Sequence, residues 1–181
     1  MKTAFFRATS SSHRHSRQGH AVVKLIGLTA VMGLTVALIY MLLIQAARTV
    51  QCRDQLINIY RALEVYEMSH GTLPRLAFYP EEPNSDLDSM SVTLEAYGLE
   101  PSTWICPSSH EIIANTGLSY IWNTRLNGRK LRDAAEPQWL IAEINALSPD
   151  VPRPHLGYCN VLFTDGSVKR VRNPATEIAD W

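Results

Sequence analysis

His155, nine intervening residues and Asp165-Gly166 form the first arrangement in the chain whose residue types could do chemistry. A histidine and a carboxylate can act as base and orienting partner, provided a nucleophile or a metal stands beside them. The same stretch, HLGYCNVLFTDGSVKRV, also describes a hairpin turning at Asp-Gly, because Asp tolerates positive φ and Gly has no Cβ to clear. No GxSxG, HExxH or phosphate-binding glycine loop supplies a partner for catalysis. Structural use of His155, Asp165 and Gly166 is therefore the expectation. No residue is assigned a catalytic role, and the chain is not expected to be an enzyme. Glu143 and Asp150 could join His155 and Asp165 as hard ligands for calcium, with Glu143 and Asp165 the leading pair. Apart from that calcium, no cofactor is expected.

Cys52, Cys106 and Cys159 are the remaining reactive side chains, and their spacing suggests no zinc site. A Cys52–Cys106 disulfide would close a long segment and contribute about 2–5 kcal/mol. Two separately buried thiols fit the sequence as well, since Cα separation cannot be read from it. The odd count leaves at least one thiol unpaired or paired with another chain. Trp104, Trp122 and Trp139 read as core or rim aromatics.

The elements that must position these residues begin with an asymmetric N-terminus. Lys2, Arg7, Arg14, Arg17 and Lys24 precede the first acid, Asp54. The run Leu25 to Ala47 then carries no charge at all, and about 20 apolar residues suffice to cross a bilayer core. A cleaved signal would have a shorter apolar region, and Ala46-Ala47 offers it only a weak cleavage site. A retained helix is the expectation. Residues 1–19 form a basic cytoplasmic leader, 20–47 a transmembrane helix, and 48–181 an exported head that includes the second half of the same helix. His13, His15 and His20 belong to a solvated basic tail. The formal net charge of zero gives no footprint for nucleic acid.

Cys52, Leu56, Ile59, Leu63 and Tyr66 recur at spacings of four and three, one stripe of an α-helix. With Gly71 and Pro74 as stop signals, one helix is predicted from about Ala21 to Ser69, roughly 70 Å long. An acidic loop follows between Leu76 and Ser91, then a short helix over Val92 to Tyr97. Strands are predicted at Leu118 to Asn123, at Gln138 to Ile144, and on either side of Asp165-Gly166. Asn127-Gly128 reads as a turn. A two-residue turn at Asp165-Gly166 pairs Phe163 with Val168 and Val161 with Arg170, and sends Phe163 and Val168 to the core together. The fold class is α+β, a long N-terminal helix continuing into a small head with an antiparallel sheet.

Several of these segments together resemble the type IV pilin-like pseudopilins of bacteria, in the planctomycete-type subgroup named for an H-x9-DG motif associated with prepilin processing. His155 and Asp165-Gly166 have that spacing. CRDQLINIYRALEVYEMSHGTLP, from Cys52 to Pro74, is similar to the family's Cys-x-x-Asn-Leu helix ending in Gly-x-x-Pro. WICPSS is similar to its Cys-Pro element, SYIWN to its Ser-Tyr-x-x-Asn element, and WLIAE to its apolar strand ending in Glu. The likeness covers roughly residues 17–172. It implies a pilin-like fold, a single pass through the inner membrane with the head in the periplasm, and a structural role in a type II secretion or type IV pilus-like assembly. It also implies other pseudopilin subunits and prepilin peptidase as partners. The N-terminus departs from the pattern. Cleavage after Gly19 would leave His20 as the first mature residue, and Lys24 would stand at the fifth position, where the family has Glu. The alternative function is an uncleaved, membrane-anchored binding module recognising an exported partner or calcium.

Overall fold

One helix, α1 (His13–His70), dominates the chain. The computed structural model describes residues 13–133, 135–147 and 152–172, with side chains from Val23 onward. The first twelve residues of the expected leader and Asp150 lie outside the described residues, as do the side chains at Gly19 and His20. The helix begins at His13, eight residues before the expected start at Ala21. No Pro interrupts helical backbone there.

The chain divides into two compact units, up to Leu43 and from Ile44 onward. In the first, the described apolar side chains of α1 are exposed: Val23, Leu25, Leu28, Val31, Leu34 and Met41 are each more than 60% exposed. This part of α1 is long and apolar enough to cross a membrane, and it lies near the N-terminus. In the second unit, the predicted stripe is buried, with Cys52, Leu56, Ile59 and Leu63 fully inside. Gly71 ends the helix with φ +82° while its N–H bonds Glu67 O at 2.7 Å. A left-handed residue at that place closes the last turn and releases the chain.

Two short helices follow, α2 (Met90–Thr93) and α3 (Glu111–Ala114), together with four strands. The strands are β1 (Tyr120–Trp122), β2 (Trp139–Glu143), β3 (Cys159–Phe163) and β4 (Val168–Val171), all antiparallel and in sequence order. Both faces of this sheet are covered. Tyr120, Trp122, Leu140 and Leu162 join the stripe of α1 in one core cluster, while Ile121, Trp139, Cys159 and Val161 form a second. That is why the central strands read as apolar runs rather than as alternating ones. Trp104, Trp122 and Trp139 are all buried. Asn127 does more than turn the chain. Its side chain bonds Leu76 N and O at 3.0 Å each and accepts from Trp122 Nε1 at 2.7 Å, stitching a loop to β1.

The β3–β4 register differs from the predicted one. Val168 pairs with Leu162, not Phe163, and Arg170 with Asn160, not Val161. The connection is a three-residue loop, Thr164-Asp165-Gly166, in which Gly166 takes φ +78° and its N–H bonds Phe163 O at 2.9 Å. A loop one residue longer shifts every pair by one, so Phe163 leaves the helix-facing core for the opposite cluster.

The same glycine sits against α1. A Cβ placed there would stand 2.8 Å from Tyr60 Cε1, and Tyr60 Oη donates to Thr164 O at 3.2 Å. Gly166→Ala is expected to destabilise the head by about 1–3 kcal/mol through backbone strain and this clash. Urea unfolding of the detergent-solubilised chain, followed by tryptophan fluorescence, measures it. Adding Tyr60→Ser should recover part of the loss.

Candidate functional site

The buried stripe of α1 carries Cys52, and Thr49 precedes it by three residues on the same side of the helix. From there Gln55 reaches into the loop around Cys106, its Nε2 donating to Ser102 O at 2.7 Å and Ile105 O at 3.2 Å. Those bonds set the carbonyls just ahead of Cys106 and hold its thiol toward the helix. Glu143 is the last residue of β2, on the face turned to α1. Asn160 of β3 donates its backbone N–H to Glu143 Oε2 at 3.0 Å and its side-chain amide to Oε1 at 3.3 Å.

His155 comes from the turn that leads into β3. Leu156 and Gly157 both have positive φ, +53° and +88°, and the His155 and Tyr158 backbones bond each other across them. Leu156 is the one non-glycine residue with positive φ among the described residues, a conformation that costs an ordinary side chain about 1–2 kcal/mol. This tight turn folds the chain back so that the His155 ring enters the core while Leu156 stays outside.

The four side chains converge. Cys52 Sγ, Cys106 Sγ, Glu143 Oε1 and His155 Nε2 all lie within 4.8 Å of one another, and all four residues are buried. His155 Nε2 is 2.7 Å from Glu143 Oε1, Cys52 Sγ donates to the same oxygen at 2.8 Å, and Cys106 Sγ is 3.4 Å from Nε2. On the far side of the ring, Nδ1 meets Thr49 Oγ1 at 3.2 Å. That hydroxyl gives its own proton to Gln45 O at 2.8 Å, so it meets Nδ1 as an acceptor and Nδ1 carries a proton. Nε2 is the nitrogen aimed at the cluster.

Electrostatics separates the two thiols. Burial pushes Cys52 far above the ordinary thiol value, with Cys106 and the Glu143 carboxylate adding to the rise. The hydrogen bond with Cys52 brings Cys106 down to about 6 against the opposing effect of burial, and His155 assists. Burial opposes charge on His155, yet its hydrogen bonds to Cys106 and Glu143 carry it up to about 9. Without a metal the cluster is therefore a buried ionic network. Cys52 is the neutral donor, Cys106 the acidic thiol, and His155 the cation between Cys106 and Glu143.

The expected calcium pair is not brought together. Glu143 meets Asn160 at the start of β3, whereas Asp165 lies in the exposed turn five residues further on, about 16 Å along an extended chain. There Asp165 accepts from Ser167 N at 2.9 Å and Ser167 Oγ at 2.6 Å, which holds its carboxyl below the usual range. His155 and Asp165 are likewise apart. Cys52 and Cys106 are neighbours as free thiols, and Cys159 is a third buried thiol in the opposite core cluster, pushed up to about 12 by burial. Thr49 and Asn160 carried no signal in the sequence. Cys52 and Glu143 are 91 residues apart and Cys106 and His155 are 49 apart, so no local spacing announces the cluster.

Truncating Glu143 leaves a buried cation and two Asn160 donors without their acceptor. Glu143→Ala is expected to cost about 3–5 kcal/mol, the range for breaking a buried ion pair from one side. Asp165→Ala, in the exposed turn, should cost a fraction of that. Urea midpoints of the two variants against the parent chain decide it, and equal losses would refute the ranking.

Compared with protein-family models, curated proteins and solved structures, the chain matches none.

Proposed function

We propose that the chain is a structural, membrane-anchored subunit of pseudopilin type, which associates with like subunits through the apolar half of α1 and performs no catalytic step. The observation that carries this reading is the unpartnered apolar surface from Val23 to Leu43. Gly27, Ala30 and Gly33 recur there at spacings of three, and a Cβ at Gly27 or Gly33 would meet nothing within 4 Å. Small residues let neighbouring helices approach closely in a membrane, where packing rather than water drives association. The motif likeness from Cys52 to Gly166 agrees with this reading and supplies the type of assembly, a type II secretion or pilus-like one. The basic N-terminus supports the orientation in this reading, with the leader in the cytoplasm and the head in the periplasm.

Lys24 favours a second reading. The resemblance implies a Glu at this place that pairs with the N-terminal amine of a neighbouring subunit. The Lys24 ammonium cannot make that pair and repels the amine. A tethered module that binds an exported partner needs no such pairing.

The two readings separate in one preparation. Native membranes carrying an Ala30→Cys chain, treated with a membrane-permeant thiol cross-linker, should give a cross-linked dimer through α1, because the three native thiols are buried. Gly33→Leu should weaken the dimer by about tenfold, the equivalent of 1–2 kcal/mol of helix contact. Intact mass of the untreated material should show a chain starting at His20. A chain retaining its leader and giving no dimer would establish the tethered module instead.

A further inference from the structure

We infer that Cys52 Sγ, Cys106 Sγ, Glu143 Oε1 and His155 Nε2 are the four ligands of a structural zinc ion that fastens α1 to the head. This goes beyond the assembly role and does not depend on it, because every ligand comes from the same compact unit.

The donor set is the first argument. Two thiols, an imidazole nitrogen and a carboxylate oxygen are the ligand types zinc takes, in the number a tetrahedral site needs. Calcium wants six to eight oxygens and is excluded by the sulfurs. All four residues are buried, so no open position is left for water or substrate, which marks a structural site rather than a catalytic one.

Crowding at a single oxygen is the second argument. Glu143 Oε1 is approached by Cys52 Sγ at 2.8 Å, His155 Nε2 at 2.7 Å and Asn160 Nδ2 at 3.3 Å. A carboxylate oxygen offers about two lone-pair positions, so three donors exceed its capacity. Two of those three are themselves ligand atoms. An ion at the centre replaces their protons and leaves Oε1 with the metal and one Asn160 bond. Zinc–ligand lengths of about 2.0–2.3 Å set adjacent ligand atoms roughly 3.3–3.8 Å apart. The Cys106–His155 contact at 3.4 Å already fits, and Oε1 must withdraw by only roughly 0.6–0.7 Å.

The outer contacts are those that orient zinc ligands. Thr49 fixes the proton on Nδ1 and so presents Nε2 to the ion. Asn160 N–H anchors the carboxylate's other oxygen. Partners of this kind are worth about 10–100-fold in metal affinity. Binding converts the Cys52 S–H and the His155 Nε2–H into lone pairs on zinc and releases those protons to solvent, along with that of Cys106 where it is still a thiol. No electron is transferred.

The test uses the full chain in detergent, purified without chelator after expression in zinc-supplemented medium. Elemental analysis is expected to find one zinc per chain and no stoichiometric calcium, copper or iron. Cobalt loaded in its place should give thiolate charge-transfer bands and the visible bands of a tetrahedral ion. Cys106→Ser should lose the zinc, Cys159→Ala should keep it, and Thr49→Val should bind it about 10–100-fold more weakly. Thr49→Val guards against misfolding of the cysteine variant, and circular dichroism checks the helix in each. A parent chain that is folded, fully reduced and metal-free despite added zinc would overturn the inference. So would a Cys52–Cys106 disulfide in protein taken from native membranes, or stoichiometric binding of another metal in preference to zinc.

Discussion

The head is organised around one buried carboxylate. Glu143 has no exposed surface, and an ion of its kind removed from water costs several kcal/mol unless every lone pair is answered. Its answers come from different elements: Cys52 from α1, His155 from the turn before β3, and Asn160 from β3 itself. Displacing any one of these elements exposes the charge to an apolar interior. Gln55 extends the constraint to the Cys106 loop, since its amide holds that loop while its carbonyl accepts from Tyr120 Oη at 3.1 Å. A hydrophobic core of the same size would tolerate sliding between helix and sheet. This polar contact does not.

A second anchor lies further along the same pair of elements. Tyr60 of α1 bonds Thr164 O and covers Gly166, just as Cys52 meets the Glu143–Asn160 end. From Cys52 to Tyr60 the helix rises about 12 Å. From Asn160 to Thr164 an extended strand covers about 13 Å. The two lengths match, so α1 is pinned at both ends of β3 with Leu56 and Ile59 filling the interval. This gives a physical meaning to the separation of His155 from Asp165-Gly166. The tight turn at Leu156-Gly157, one strand and one glycine turn together span the distance between two contacts on one helix. His155 and Asp165 mark the two ends of a strap.

Much of this was legible because it follows from short-range rules. The stripe of α1, its stop at Gly71, and the four strands all depend on periodicity and local backbone preference. The register of β3 against β4 was not legible. Asp-Gly suits both a two-residue turn and a three-residue loop ending in a left-handed glycine, and only packing against Tyr60 selects the second. The cluster failed to show itself for a different reason. Zinc-site and active-site patterns are recognised by ligands close together in sequence, and these four arrive from four segments. Cys52, Cys106, Glu143 and His155 nonetheless fall within the Cys-x-x, Cys-Pro, strand-ending Glu and H-x9-DG segments that carried the family likeness. Read singly those segments gave a stripe position, a loop, a strand end and a turn, and the calcium pair joined Glu143 to an acid that lies in the exposed turn.

The same carboxylate decides among the states open to the two thiols. A disulfide needs its sulfurs about 2.05 Å apart, and forming it would remove the Cys52 donor from Glu143. It would also take away the Cys106 hydrogen bond that supports charge on His155. The Glu143–His155 pair would remain buried with less to stabilise it. Reduced thiols keep the network, but they leave one carboxylate oxygen with more donors than it has lone pairs. A divalent ion satisfies all four groups at once, because it accepts from both sulfurs, the nitrogen and the crowded oxygen. In that state each buried polar atom of the cluster has a partner suited to its charge, and the position of Glu143 between the helix and the His155 turn is what makes that state attainable.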